Sequence, residues 1–323
     1  MSEKTGLENI EMPKNFAEAW ESSSKPNLYL TEKDLERGQK ALAEPSEVSL
    51  NSLSEIWEVL KEDIMTRTDT PKHPIGLRSL DDLLWGVHKK ELMVVGARTS
   101  QGKSAFSIFL AKQLADIGRR VIYFSLEMSK EQILERIFTQ LTLINNVDLR
   151  KGYAKPKVVE REKILIDWME DAKLLIDDRY GYDFDKLVSI VEIIKPDFVF
   201  IDYIQMVSTK GFKSKLEAIE EYVRKIKELS IRKDFGVILL SQVNRSGTEG
   251  AEMQHLKWAG VLEEHADSVV MLKWDWSIED PNKYIVDVKK QRHAPVKNGI
   301  MIDFMPEFSL FKEKIMTSKD MGL

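Results

Sequence analysis

From residue 74 onward, short continuous apolar runs alternate with longer stretches of helical pattern. Continuous apolar runs are typical of strands that are buried on both faces, and strands joined by helices form parallel sheets. The sequence therefore predicts an α/β domain. Strands are predicted at 91–95, 121–125, 173–177, 197–201, 236–241 and 268–273, with helices near 103–118, 129–144, 158–171, 183–195 and 214–233.

The pattern changes after residue 268, where no further helix is indicated. The segments YIVDVKK, GIMIDF and FSLF follow one another with only short breaks. Consecutive strands without helical crossovers pair antiparallel, as in a hairpin or meander. We therefore expect a mostly parallel sheet that closes with antiparallel strands.

The first 73 residues differ in composition from the rest. Residues 1–50 are polar and have too little apolar surface to fold alone, which predicts a largely flexible arm with one helix starting near Thr31 and Asp34. Residues 51–73 predict a helix at 53–65, with a start signal at Ser52 and Glu55, and then a linker. The apolar stripe of this helix has to dock either on its own domain or on a neighbouring subunit.

Composition narrows the classes of protein. The chain has 323 residues and a net charge of −5, which excludes a uniformly basic surface but leaves room for a local basic groove. With 0 cysteines there is no disulfide or thiolate metal site. The N-terminus has no apolar signal region, and no run approaches the roughly 18 apolar residues of a membrane span. We expect a soluble intracellular protein, and the lack of cysteine is compatible with the cytoplasm.

The strongest motif is GARTSQGKS, between a predicted strand and a predicted helix. Backbone N–H groups of such a loop, together with the helix N-terminus, bind phosphate oxygens. Five residues separate Gly96 from Gly102, one more than the usual count, so Ala97 stands where the first glycine normally is. The predicted nucleotide-binding residues are Gly96, Ala97, Arg98, Thr99, Ser100, Gln101, Gly102, Lys103, Ser104 and Ala105, with Lys103 on the β/γ-phosphates and Ser104 on Mg²⁺.

Three polar residues follow later strands. Asp202 ends an apolar strand and is expected to hold the Mg²⁺ shell. Glu127 follows the strand VIYF and is expected to act as a general base or to position the attacking water. Gln242 follows GVILLS, where it either hydrogen-bonds the γ-phosphate or faces solvent. The five histidines show no metal-ligand spacing, so Mg²⁺ with ATP is the only metal predicted.

Six segments in this order resemble the DnaB replicative-helicase family: GARTSQGKSAF, SLEMS, FIDYIQMV, LLSQVNR, GVLEEHADSVVML and VKKQRHAP. The resemblance implies a RecA-like ATPase and helicase domain over residues 74–323. It also implies a ring, typically a hexamer, that moves on single-stranded DNA and binds ATP between subunits. The 53–65 helix is similar to the family's linker helix. The family's helical N-terminal domain, which contacts primase, has no counterpart in the polar arm, which suggests a short, phage-type member of a bacterial or phage-infected cell. A primase or loader is a candidate partner, but the partners of the larger members are not carried over to this chain.

The resemblance also assigns roles beyond the nucleotide loop. Arg292 in the Lys-Gln-Arg hairpin is implied to be an arginine finger for the neighbouring subunit's ATP, with Lys290 beside it. Channel-facing loops are implied to contact DNA, although Lys257 and Trp258 depart from the family's usual Arg-Glu pair. Trp258 either stacks on a base or packs on a subunit. The predicted DNA-binding residues are Lys210, Lys213, Lys215, Lys257, Trp258 and Gly260.

Three functions remain compatible with these motifs. The first is an ATP-driven 5′–3′ DNA helicase, which the hairpin and the linker-like helix favour. The second is a RecA-like DNA-dependent ATPase that does not unwind, such as a recombinase or loader. The third is a non-motor ATPase that acts as an assembly switch.

Overall fold

The computed structural model describes residues 32–36, 52–68, 70–179, 184–206, 208–243, 259–275 and 280–314. Its helices are α1 (Leu53–Met65), α2 (Arg78–Leu84), α3 (Lys103–Asp116), α4 (Lys130–Thr142), α5 (Asn146–Arg150), α6 (Lys155–Asp171), α7 (Phe184–Ile194), α8 (Lys215–Lys233) and α9 (Ala259–His265). Its strands are β1 (Leu92–Ala97), β2 (Val121–Ser125), β3 (Leu174–Asp177), β4 (Phe198–Asp202), β5 (Gly236–Gln242), β6 (Ser268–Trp274), β7 (Lys283–Gln291), β8 (Lys297–Met305) and β9 (Leu310–Glu313).

All of these strands belong to one sheet, in the order β3-β2-β4-β5-β1-β6-β7-β8-β9. The pairs from β3 through β6 are parallel, and β6 through β9 pair antiparallel as a meander. This confirms the predicted fold class, a mostly parallel sheet with C-terminal antiparallel strands. The order matters for function because the C-terminal ends of β1, β2, β4 and β5 meet at one edge, where open α/β sheets bind ligands.

Helices cover both faces of the sheet. On one face α7, α8 and α9 pack their buried residues against the sheet, and on the other face α2, α3 and α4 do so. β1, β2 and β4 are buried along their whole length, because helices lie on both sides of them. α3 is buried on more than one side, including Phe106, Phe109 and Leu110, so its apolar residues do not form a single stripe.

α1 is the exception to this packing. Its start signal is confirmed, since the Ser52 and Glu55 side chains form a reciprocal capping box. None of its residues is buried against the described chain, and Leu53, Ile56 and Trp57 are 86%, 48% and 52% exposed. Packing on its own domain, one of the two alternatives for this stripe, is therefore not observed.

The N-terminal arm is described only at residues 32–36, which are helical, and Leu35 there belongs to the core beneath α7 and α8. The rest of the helix expected near Thr31 and Asp34 lies outside the described residues. Two short helices, α2 and α5, were not predicted, because seven and five residues are too short to show a helical period. α9 was also not predicted.

Among the described helices, none is long and apolar enough to cross a membrane.

Candidate active site

The phosphate-loop motif lies at the ligand-binding edge of the sheet, between β1 and α3. Gly96 and Ala97 are the last residues of β1, and Ala105 is buried in the first turn of α3, so the loop itself spans residues 98–102. Ser100 and Gly102 have left-handed backbones, with φ of 63° and 78°. Gly102 caps the N-terminus of α3 and Lys103 begins the helix. This places Lys103 and Ser104 at the positive end of the helix dipole, where anions are stabilised.

Lys103 and Asp202 form the centre of the site. The Lys103 Nζ donates to Asp202 Oδ1 at 2.7 Å, and the two side chains are 11% and 1% exposed. The other carboxylate oxygen of Asp202 accepts from the Tyr123 hydroxyl at 2.9 Å. Asp202 is thus a buried carboxylate whose charge is balanced by Lys103.

Tyr123 links this carboxylate to α3. Its hydroxyl and that of Ser107 are 2.7 Å apart, and the Ser107 hydroxyl donates to the Ser104 carbonyl at 3.0 Å. Burial and the adjacent Asp202 carboxylate raise the pKa of Tyr123 well above its ordinary value. The phenol therefore stays protonated and donates to Asp202 at every physiological pH. Sequence reasoning missed Tyr123, because a tyrosine inside an apolar strand carries no signal of a polar partner.

Glu127 and Gln242 lie at the same edge. Ser125 at the end of β2 pairs in register with Asp202, and the Leu126 N–H donates to the Asp202 carbonyl at 2.7 Å. Glu127 follows directly and is exposed beyond the strand end. Gln242 donates from Nε2 to the Thr99 hydroxyl at 2.7 Å, so its amide is held against the phosphate loop. The structure therefore brings Lys103, Asp202, Glu127 and Gln242 to one end of the sheet, as the sequence predicted.

An aromatic group from the C-terminal meander supports the loop, which the sequence did not indicate. The Tyr284 hydroxyl donates to the Gln101 carbonyl at 2.5 Å, and the Trp274 backbone N–H donates to the Gln101 side chain at 2.7 Å. The Phe304 ring packs on both Trp274 and Tyr284, with centroids 5.4 Å apart in each pair. The meander thus fixes the loop from the side opposite β5.

Arg292 lies at the other edge of the sheet. The end of β7 pairs with the start of β6, so Gln291 is opposite Ser268, and Ser268 is opposite Met93 near the start of β1. The Arg292 Nε forms an ion pair with Asp267 Oδ1 at 3.0 Å, and its side chain is 52% exposed. Lys290 is half-buried opposite Val269. A cleft of about 760 Å³ opens at this edge, and Arg67, Lys72 and Arg292 are among its lining residues.

The candidate DNA-binding lysines are only partly covered by the structure. Lys210 and Lys213 are exposed on the loop before α8, and Lys215 is the exposed first residue of that helix. Phe212 packs edge-on against Tyr222 at 5.3 Å, which anchors the loop and leaves its lysines facing outward. Gly260 is exposed at the start of α9, while Lys257, Trp258, Asn244 and Arg245 lie outside the described residues.

α8 and α9 lie side by side, and each of them leads into a parallel strand. Both helices therefore run antiparallel to the strands, and their N-termini point to the edge that carries the phosphate loop. This arrangement places Lys215 and Gly260 at the same end of the domain as Lys103.

A phosphate loop on this sheet order, followed by a strand that ends in a buried carboxylate, defines a RecA-like P-loop NTPase core. The chain belongs to a particular family of such proteins, the DnaB-like helicase C-terminal domain, whose model matches residues 73–313. Membership of this family implies that the domain binds a nucleotide.

Relatives and solved structures agree with this assignment. The chain is 28% identical over 253 residues to the replicative DNA helicase DnaB of Geobacillus stearothermophilus, covering 74% of this chain and 56% of that protein. It therefore spans little more than half the length of this relative. A DnaB-like replicative helicase, solved in a study of its interactions with primase, superposes with a TM-score of 0.74 at 25% identity, covering 82% of this chain and 69% of that one. A second solved structure, of an ATPase domain, superposes with a TM-score of 0.75 at 25% identity, covering 83% of this chain and 100% of that one.

Proposed function

We propose that this protein is the motor of a replicative-type DNA helicase, which hydrolyses ATP to move 5′ to 3′ on single-stranded DNA as a ring of identical subunits, typically a hexamer. The 5′–3′ polarity and the ring follow from the family resemblance. The compartment is the cytoplasm, where bacterial DNA is replicated.

One observation carries the proposal: Arg292 and the phosphate loop lie at opposite edges of the sheet, separated along the strand direction. Arg292 lies near the level of Leu92, whereas the loop begins after Ala97. Five residues of strand at about 3.3 Å each separate the two levels by roughly 17 Å, which is longer than an arginine side chain. Arg292 therefore cannot serve its own nucleotide, and it can act as an arginine finger only toward a second subunit.

The residues at the loop fit Mg²⁺ and ATP. Lys103 would turn from Asp202 to the β/γ-phosphates, and the buried carboxylate would then need another cation. Asp202 and the Ser104 hydroxyl would hold Mg²⁺, which neutralises phosphate charge during transfer. Glu127 orients the attacking water from the end of β2, and Gln242 contacts the γ-phosphate from the end of β5. Lys290 adds positive charge beside Arg292 on the neighbouring subunit.

The ring and the DNA path rest on two exposed features. The apolar stripe of α1 has no partner among the described residues, which supports docking on an adjacent subunit of the ring. Lys210, Lys213 and Lys215 make no ion pair within the described chain. Free lysines at one end of the domain suit phosphate contacts that do not depend on sequence. A primase or loader is a further expected partner.

Strand displacement from forked duplexes tests the helicase function. With ATP and Mg²⁺, we expect unwinding of a fork with a free 5′ tail and none of a fork with only a 3′ tail. ATP hydrolysis and DNA binding without displacement on either substrate would leave a non-unwinding ATPase, and hydrolysis without DNA binding would leave an assembly switch.

Arg292→Ala tests the composite site. We expect turnover to fall by about 10³-fold or more while ATP binding persists, because the finger acts on developing charge and not on the bound ground state. Lys297→Ala removes another exposed cation of the same meander and serves as the control, with turnover unchanged. Normal turnover in the Arg292 variant would refute the finger role.

The salt dependence of DNA binding tests the lysines. Replacing Lys210 and Lys213 by alanine is expected to weaken single-stranded DNA binding and to reduce the slope of log K against log salt by about 0.7 for each lost contact. Lys186→Ala, an exposed lysine on α7, is the matched control. An unchanged slope in the double variant would remove these lysines from the DNA path.

A further inference from the structure

Asp267, between α9 and β6, is a buried carboxylate outside the residues discussed so far as catalytic. Its side chain is 4% exposed and meets two cations, Arg292 and Lys227. Oδ1 forms an ion pair with the Arg292 Nε at 3.0 Å, and Oδ2 accepts from the Lys227 Nζ. Burying a carboxylate costs free energy, and the loss of any of these partners would leave part of that cost uncompensated.

The carboxylate is also fixed to the sheet. The Leu92 N–H donates to Asp267 Oδ2 at 2.7 Å, and the Asp267 N–H donates to the Leu92 carbonyl at 2.9 Å. These two bonds join both backbone and side chain of Asp267 to the first residue of β1. Oδ1 consequently presents a fixed acceptor to Arg292, next to the rigid centre of the domain.

The way Arg292 is held leaves its reactive end available. The ion pair joins Asp267 to the Arg292 Nε, at 3.0 Å, and not to the terminal nitrogens of the guanidinium. The four N–H donors on those terminal nitrogens can therefore face a phosphate. The side chain is half-exposed, so without this ion pair its several rotamers would be populated and the finger would be poorly aligned.

We propose that Asp267 is the positioning residue of the arginine finger: it holds Arg292 by Nε so that its terminal nitrogens point to the ATP of the adjacent subunit. This inference rests on the proposed composite site. Lys227, on α8, donates to the Oδ2 of Asp267, so Oδ1 remains for Arg292. Asp267 touches no nucleotide itself and acts only through Arg292.

The test measures turnover and ATP affinity in the full chain with single-stranded DNA, for Asp267→Asn, Arg292→Ala and the double variant. We expect Asp267→Asn to lower kcat by on the order of tenfold to a hundredfold, as for other lost alignments, with ATP affinity unchanged. In the Arg292→Ala background the same substitution is expected to have no further effect on kcat, because its only route to the chemistry is gone.

Asp197→Asn is the matched control for structural damage. Asp197 precedes β4 as Asp267 precedes β6, and it accepts from the Lys89 Nζ at 2.6 Å and from the Arg120 N–H at 2.9 Å. It does not contact Arg292. We expect this variant to lose stability without a specific loss of kcat, so a kcat loss of similar size in both variants would overturn the proposal.

Asp267→Glu provides a second reading if the asparagine variant does not fold. It keeps the charge but moves the carboxylate by one methylene, so kcat is expected to fall severalfold at unchanged ATP affinity. Full turnover in either folded variant, or an additive loss in the double variant, overturns the positioning role alone. Normal turnover in Arg292→Ala overturns the composite site and the positioning role with it.

Discussion

Replacing Gly102 by alanine tests the phosphate loop most directly. Gly102 has φ of +78°, and an added Cβ would lie 3.2 Å from the Tyr284 hydroxyl oxygen and 3.4 Å from Phe304 Cε1. A left-handed backbone costs alanine about 1–2 kcal/mol, and the two aromatic contacts are tighter than ordinary van der Waals distances. The substitution therefore penalises the loop conformation that binds phosphate.

The size of the loss in Gly102→Ala follows mainly from the cost of the left-handed backbone. If the loop keeps its conformation, the free energy of unfolding falls by about 1–2 kcal/mol; if it relaxes, the same free energy is lost from nucleotide binding. In the second case the ATP dissociation constant rises by roughly 5- to 30-fold. Urea unfolding measures the loss of folding free energy, and titration with a fluorescent ATP analogue measures the loss of binding free energy. The two losses together are predicted to be about 1–2 kcal/mol.

Gly118→Ala is the control for backbone cost alone. Its φ is +74°, but an added Cβ would have nothing within 4 Å. It should lose stability to a similar extent and bind ATP as the wild type does. In a Tyr284→Phe background, Gly102→Ala should cost less, since the crowding oxygen is gone. Wild-type affinity and stability in Gly102→Ala, or the same affinity loss in Gly118→Ala, would refute the reasoning.

Two further predictions concern stability and are measured by urea unfolding, and a third concerns the helicity of α1. Burial and nearby cations lower the pKa of His73 from 6.5 to about 4. Between these pH values the unfolded chain binds a proton that the folded chain does not, so the free energy of unfolding falls as the pH drops, by about 2 kcal/mol at pH 5. His73→Leu should abolish that part of the pH dependence. Asp81→Ala should lower the free energy of unfolding by about 3 kcal/mol, because the Ile75 and Gly76 N–H groups, which donate to Asp81 at 2.7 and 3.0 Å, lose their acceptor. A decrease below about 1 kcal/mol would contradict this. Ser52→Ala removes the cap of α1, so helicity by circular dichroism should fall with no loss of core stability, and an unchanged spectrum would argue against the cap.

The sequence predicts the site best where a functional residue lies close to a strand in the chain. The phosphate loop, Asp202, Glu127 and Gln242 each lie at the end of an apolar strand, so their shared edge could be predicted once the strands were expected to be parallel. The meander could be predicted because no helical segment separates its strands.

Contacts between distant segments were beyond such reasoning. Tyr284 reaches Gln101 across 183 positions, and Asp267 reaches Leu92 across 175. A tyrosine in a strand and an aspartate before a strand have many ordinary uses, so their types do not reveal these partners. Asp267 and Asp197 do share one signal, an acidic residue directly before a buried strand, but that signal does not distinguish a finger's anchor from a structural ion pair.

The polarity of the sheet has a consequence for how activity depends on concentration. Under the composite site proposed above, a strand's length separates Arg292 from the loop of its own subunit, so a lone subunit has half of each of two sites and no complete one. Dilution below the assembly threshold should then abolish ATP hydrolysis faster than the number of subunits falls. At a few copies per cell little ATP would be consumed, and consumption would begin only when enough subunits meet.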